Sequence, residues 1–114
     1  MLLSIDQKRI KPGVVVLVLA GKIALGRECQ KIEQQVSELI QHDEKKIILD
    51  LAGVEYIDST GVGLIALCAG RTRTAGGNLF VAGARGMVLN ILNLTKMDTI
   101  VGTYADSVAA ASEI

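Results

Sequence analysis

Two hydrophobic patterns alternate along the chain and predict alternating strands and helices. Short aliphatic runs predict strands over residues 14–20, 46–51 and 79–82, a loose alternation of apolar and polar residues predicts an edge strand over 3–10, and a weaker pattern predicts a last strand over 99–103. Apolar residues at helical spacing predict helices over residues 25–40, 62–74 and 87–94. A fourth, alanine-rich helix is predicted at the C-terminus, with Asp106 or Ser107 as its cap.

The order of these elements predicts the architecture. Parallel strands need crossover connections, and the helices that follow the second, third and fourth strands supply them. The turn Lys11-Pro12-Gly13 joins the first two strands as an antiparallel hairpin. We therefore expect one α/β domain over residues 1–114, with a mixed, mostly parallel sheet of four to five strands and about four helices. Residues 21–26 and the segment from 52 to Asp58 are expected to be loops.

Composition narrows the class of function. Twelve basic and twelve acidic residues cancel, and aromatic residues make up only 3% of the 114, so neither a nucleic acid nor an anionic membrane is expected as a partner. The longest apolar run, 14–20, is too short to span a bilayer, and no secretory signal is evident, which predicts a cytoplasmic protein. Cys29 and Cys68 lie in helical patterns without a CxxC motif, so we expect buried free thiols, no metal and no cofactor.

The candidate chemistry lies in Asp58-Ser59-Thr60-Gly61, directly before a helical pattern. Asp, Ser and Thr are preferred helix caps, and a hydroxyl at a helix N-terminus lies where backbone N–H groups favour negative charge. Ser59 or Thr60 can therefore carry a phosphate. The alternative interpretation is that this pair only caps the helix.

Two enzymatic interpretations are weaker. A nucleotide-binding loop at Gly61 and Gly63 is a weak hypothesis, because no GxxxxGK[ST] motif or well-placed GxGxxG motif is present. The alternative is that these glycines allow a close approach of helix and sheet. A hydrolase site built from Asp50, Asp58 and Ser59 has no histidine base within its loop and no Gly-x-Ser-x-Gly elbow. We therefore expect no catalytic activity.

Residues 56–65, Tyr-Ile-Asp-Ser-Thr-Gly-Val-Gly-Leu-Ile, resemble the phosphorylation loop of bacterial anti-sigma-factor antagonists, which belong to the STAS domain family. The segments 47–51, 76–79 and 91–97 match the same family pattern in one register over nearly the whole chain. The resemblance implies a partner switch. Such proteins bind an anti-sigma factor that is also a serine kinase, lose affinity when it phosphorylates them, and regain it through a cognate phosphatase.

The same resemblance assigns residues to these roles. Ser59 is the implied phosphoacceptor, Thr60 is the runner-up hydroxyl, and an unbound monomer is implied. The implied partner-binding residues are Asp58, Ser59, Thr60, Gly61, Val62, Leu94 and Met97. Leu94 and Met97, together with Met87, either form a docking patch beside the loop or belong to the core.

One position departs from the family pattern. Members of the sporulation type usually have an Asp at the position that Ala24 occupies in Gly21-Lys22-Ile23-Ala24. This departure keeps open a different role, in which the domain is an unphosphorylated scaffold or subunit of a transport or stressosome-like complex.

Overall fold

The computed structural model describes residues 3–24 and 26–113. Its five strands are β1 (Ser4–Lys11), β2 (Val14–Ile23), β3 (Lys46–Ile57), β4 (Asn78–Ala82) and β5 (Gly102–Tyr104). Its helices are α1 (Arg27–Gln41), α2 (Ser59–Thr74), α3 (Gly86–Leu94) and α4 (Ser107–Ser112), and a single 3₁₀ turn covers Met97–Thr99. Leu25, which the sequence pattern assigns to the first helix, lies outside the described residues.

The sheet confirms the predicted fold class. Its strand order is β1-β2-β3-β4-β5, with β1 antiparallel to β2 and every other pair parallel. The three crossovers through α1, α2 and α3 all step in the same direction across the sheet. Because such crossovers share one hand, all three helices pack on one face of the sheet.

Each face of the sheet has its own apolar layer. Under α1, α2 and α3 lies the main core, which includes Leu17, Leu49 and Val81 from the strands and Ile32 and Ile65 from the helices. A smaller cluster on the opposite face joins alanines of α4 to Val16 and Ile48. The strands are therefore buried from both sides at the centre, which is why they appear in the sequence as continuous aliphatic runs.

Two loop predictions are wrong in part, because β2 continues through residues 21–23 of the first predicted loop and β3 continues through the second as far as Ile57. β2 extends to Ile23 and β3 to Ile57, and the two extensions pair with each other past the last residue of β4. Register shifts occur between Val18 and Ala20 and between Gly21 and Lys22. The glycines that suggested a loop instead accompany these irregularities, which is a common role for glycine inside a strand.

The C-terminal part differs from its prediction in one place. The weak strand pattern over 99–103 begins inside the 3₁₀ turn, and β5 covers only three residues, Gly102–Tyr104. The predicted cap of the last helix is confirmed, because the Oδ1 atom of Asp106 accepts a hydrogen bond from the N–H of Ala109 at 2.8 Å.

Candidate functional site

Strand β3 leads into helix α2 at Asp58, which is the N-cap residue. Its backbone is extended, and its Oδ1 atom accepts a hydrogen bond from the N–H of Gly61 at 2.8 Å. Its carbonyl oxygen accepts the first helical bond, from Val62, at 3.0 Å. Asp58 therefore serves as the cap, and neither hydroxyl beside it is needed for that role.

The start of α2 is held against the end of β2. The N–H of Asp58 donates to the carbonyl oxygen of Ile23 at 3.2 Å. A Cβ atom added at Gly61 would lie 2.6 Å from that same oxygen and 2.7 Å from the side chain of Ile57. Only glycine fits such an approach, so position 61 fixes how closely α2 lies against the sheet.

Ser59 and Thr60 are exposed in the first turn of α2. Neither hydroxyl makes a hydrogen bond to any residue that the structure describes. The N–H groups of Asp58 and Gly61 are satisfied, whereas those of Ser59 and Thr60 donate to no acceptor among the described residues. The site thus combines free hydroxyls, free backbone donors and the positive end of a helix dipole.

Ala24 and Cys29 lie beside this turn. Ala24 directly follows Ile23, and its carbonyl oxygen accepts a bond from the Sγ of Cys29 at 3.0 Å. Burial raises the pKa of the Cys29 thiol, and the nearby carboxylates of Asp58 and Glu28 raise it further. Position 24, where the sporulation-type proteins that the sequence resembles usually have an Asp, therefore directly follows Ile23, whose carbonyl oxygen accepts the N–H of Asp58.

The paired extensions of β2 and β3 place an exposed aromatic and a cation near the same turn. Lys22 pairs with Tyr56 across the two strands, and its Nζ lies 6.0 Å from the centre of the Tyr56 ring. Tyr56 is 39% exposed and lies three residues before Ser59. Sequence reasoning missed this pair, because it placed Lys22 and Tyr56 in loops.

The apolar residues considered for partner binding differ in their exposure. Leu94, at the end of α3, is 81% exposed, and Met87 at its start is 40% exposed. Met97 is only 1% exposed and belongs to the core, so its prediction as a partner-binding residue is wrong. The physical reason is the left-handed backbone of Lys96, with φ of 59°, which returns the chain to the interior.

Gly61 and Val62 are also buried, so their side of α2 packs against the sheet rather than facing outward. The thiols Cys29 and Cys68 are free and buried, as the sequence predicts. Asp50, a member of the hydrolase site that the sequence disfavours, uses its carboxylate locally to accept the N–H of Ala52 at 3.0 Å.

Within residues 3–24 and 26–113, no group of three or more His, Cys, Asp or Glu side chains is placed to hold a metal ion. Over the same residues, every helix is too short or too polar to cross a bilayer.

Comparison with known proteins gives one family and several similar folds. The STAS domain family matches residues 7–111. A crystal structure of a candidate anti-sigma factor antagonist from Thermotoga maritima is 27% identical, with a TM-score of 0.87 over 96% of this chain and 93% of that one.

Two more distant structures show the same fold. The Bacillus cell fate determinant SpoIIAA, solved in its phosphorylated form, is 16% identical, with a TM-score of 0.75 over 96% of this chain and 98% of that one. A sulfate transporter family protein from Wolinella succinogenes is 17% identical, with a TM-score of 0.73 over 93% of this chain and 88% of that one.

Proposed function

Because this chain belongs to the STAS domain family, we propose that it is an anti-sigma-factor antagonist controlled by phosphorylation of Ser59. In its unphosphorylated form it binds an anti-sigma factor that is also a serine kinase, and so frees a sigma factor for transcription. Phosphorylation by that kinase weakens the complex, and a phosphatase restores it. The proposal gives the chain a binding role in the cytoplasm and no catalysis of its own.

The observation that carries the proposal is that Asp58 caps helix α2 while Ser59, the next residue, is exposed and does not. Asp58 supplies the helix cap, so Ser59 is exposed with a hydroxyl that has no structural bond to lose. A kinase can therefore reach the hydroxyl without opening the fold. The free first-turn N–H groups then stabilise the phosphate in the isolated protein.

Charge explains why such a modification weakens binding. A phosphate adds roughly −1.5 to −2 charges and three acceptor oxygens. Beside the carboxylate of Asp58 it makes the turn strongly negative, and a partner that covers the turn must remove water from that charge. Each loss of about 1.4 kcal/mol lowers the affinity tenfold, so a modest penalty is enough for a switch.

The partner's contact surface extends from the turn to α3. Leu94 is a large apolar side chain that is almost fully exposed, and Met87 lies at the other end of the same helix. The family resemblance implies Leu94 as a contact residue, and its side chain, 81% exposed, is accessible to a partner. We assign both to the surface that the anti-sigma factor covers.

The first test is intact-mass measurement and fragment mapping of the protein purified from its own cells. The proposal expects a phosphoryl group on Ser59. Phosphate on Thr60 instead would keep the mechanism and change the acceptor. Absence of phosphate under both growth and stress, even with the cognate kinase co-expressed, would contradict phosphorylation control.

The second test measures binding to the cognate anti-sigma factor. Ser59→Asp should weaken binding. Ser59→Asn should not, because asparagine has the shape of aspartate without its charge. Ser59→Ala should bind permanently in the presence of kinase and ATP, whereas Thr60→Ala should still be released. Equal affinity of the Asp and Asn variants would show that charge at position 59 is not the control.

A second candidate function is a scaffold or subunit that is never phosphorylated. The observation that favours it is Ala24, which stands beside the anchor of Asp58 where the family pattern has a carboxylate. If the missing carboxylate matters for phosphorylation, Ala24→Asp should raise the rate of Ser59 phosphorylation by the cognate kinase, and Ala24→Asn should not. Under the scaffold function, neither variant is phosphorylated, and Ser59→Ala leaves every interaction unchanged.

A further inference from the structure

Strand β1 lies at one edge of the sheet, and among the described strands it pairs only with β2. It is eight residues long, and its pairing stays regular from Ser4 to Arg9, where the register shifts. An edge of this length presents a row of unpaired N–H and C=O groups that another strand can pair with. Its charges determine whether pairing is opposed or favoured.

Asp6 and Lys8, two of the four charged residues of β1, have opposite signs and share one face of the sheet. Asp6 and Lys8 lie opposite Val18 and Val16, which belong to or pack against the apolar cluster on the α4 side. Both are exposed, and neither forms an ion pair with any residue in the described part of the chain. Helix α4 packs over β3, β4 and β5, and the exposure of Asp6 and Lys8 shows that none of the described elements covers this side of β1.

The opposite face of β1 is already engaged within the chain. Ile5 packs against the main core, and Arg9 forms an ion pair with Glu44 in the loop after α1. Asp6 and Lys8 are therefore the charges on β1's regular stretch that are available to a strand added at this edge.

The placement of these two charges is self-complementary. They lie one residue on either side of Gln7. When two copies of β1 pair antiparallel about a two-fold axis through Gln7, Asp6 of each copy lies directly opposite Lys8 of the other. Registers centred on Asp6 or on Lys8 would instead place two like charges opposite each other, which is unfavourable.

We propose that a second copy of this chain docks on β1, so that two sheets join edge to edge into one sheet of ten strands. Backbone hydrogen bonds supply the contact, and the two reciprocal Asp6–Lys8 pairs select the register centred on Gln7. The proposal does not depend on the phosphorylation of Ser59. It replaces the unbound monomer that the family resemblance implies with a concentration-dependent dimer.

The contact is small, because only the regular stretch of β1 takes part. Interfaces of that size form the weak, transient class. We therefore expect the dimer to appear as the concentration rises from about 10 µM to about 1 mM, and to weaken at high salt as the two ion pairs are screened.

The test is sedimentation equilibrium of the whole chain over that range. Asp6→Lys and Lys8→Asp each convert both attractive pairs into repulsive ones, so each alone should weaken self-association at least about tenfold. An equimolar mixture of the two variants restores opposite charges at every pair, so it should form a dimer that neither variant forms alone. Lys31→Asp, an exposed site on α1, carries the same charge change as Lys8→Asp and should leave association unchanged.

Amide hydrogen exchange provides a second readout. The outward N–H groups of β1 should exchange more slowly as the wild-type concentration rises. A wild type that stays monomeric at about 1 mM would overturn the proposal. So would a dimer that both variants form as well as the wild type, or a mixture that gains nothing over its components. Circular dichroism of each variant confirms that a lost dimer is not a lost fold.

Discussion

Gly61 and Ile23 approach so closely that a Cβ atom at position 61 would lie 2.6 Å from the carbonyl oxygen of Ile23. That oxygen also accepts the N–H of Asp58 at 3.2 Å. One backbone atom of β2 therefore fixes both the cap and the first turn of α2. The exposed hydroxyl of Ser59 owes its position to this contact.

Gly61→Ala should destabilise the protein by about 1–3 kcal/mol, because the methyl group has no space and α2 must shift away from the sheet. Gly63 is the matched control, since a Cβ there meets nothing within 4 Å. Gly63→Ala should stabilise by about 0.4–1 kcal/mol through the better helix propensity of alanine. Urea unfolding of both variants measures the difference, and equal effects would contradict the close approach.

Asp58 caps α2, and its removal should be costly. Asp58→Ala should lower the free energy of unfolding by about 0.5–2 kcal/mol, whereas Asp58→Asn should lose little, because asparagine caps as well as aspartate does. Comparing the two in thermal unfolding and in partner binding separates the cap from the charge. If the Asp58→Asn variant folds normally and binds the partner less tightly, the carboxylate itself takes part in recognition.

Leu94 and Met97 should behave in opposite ways. Leu94→Ala should change stability by less than about 0.5 kcal/mol, since the side chain is 81% exposed, but it should weaken anti-sigma-factor binding by more than about 1 kcal/mol. Met97→Ala should cost about 2–5 kcal/mol of stability, because it empties space in the core. Unaltered binding by the folded Leu94 variant would remove α3 from the proposed contact surface.

Cys68 makes stability depend on alkaline pH. Burial raises the pKa of its thiol from 9.0 to about 11. A raised pKa means that the folded state holds the proton more tightly than the unfolded state does. The protonated thiol therefore contributes about 2–3 kcal/mol to the free energy of unfolding. This contribution is complete below pH 9 and is lost as the pH rises towards 11.

Unfolding measured at a series of pH values, with Cys68→Ala as control, isolates this effect from the titration of lysines and tyrosines. The variant should show a smaller fall in stability between pH 9 and 11, whatever its stability at neutral pH. A fall of the same size in both proteins would mean that the thiol does not ionise on unfolding in this range.

The sequence was sufficient where one physical signal dominated. Aliphatic runs located the central strands, helical spacing located α1, and the tetrapeptide from Asp58 to Gly61 located the start of α2. The sequence was misleading at glycines inside strands, where it predicted loops. Gly21 has φ of 112° and Gly53 lies against Ala20, so both belong to strand irregularities, which a single sequence does not distinguish from the start of a loop.

The environment of the site depended on tertiary contacts that no spacing encodes. Nothing in the sequence indicates that Ile23 holds Asp58, or that Lys22 stands over Tyr56, because these contacts join segments that are far apart along the chain. Met97 was ambiguous for a similar reason. Its exposure depends on the left-handed backbone of Lys96, a conformation that lysine rarely adopts.

The strand order has a consequence for how the chain folds during synthesis. Each strand pairs with the strand that precedes it in the chain, so no strand is ever inserted between two that are already paired. As the polypeptide leaves the ribosome, the β1–β2 hairpin can form first, and each later helix and strand then adds to an existing edge. Every intermediate of this growth presents, besides the lasting edge at β1, one growing edge that the next strand to emerge covers.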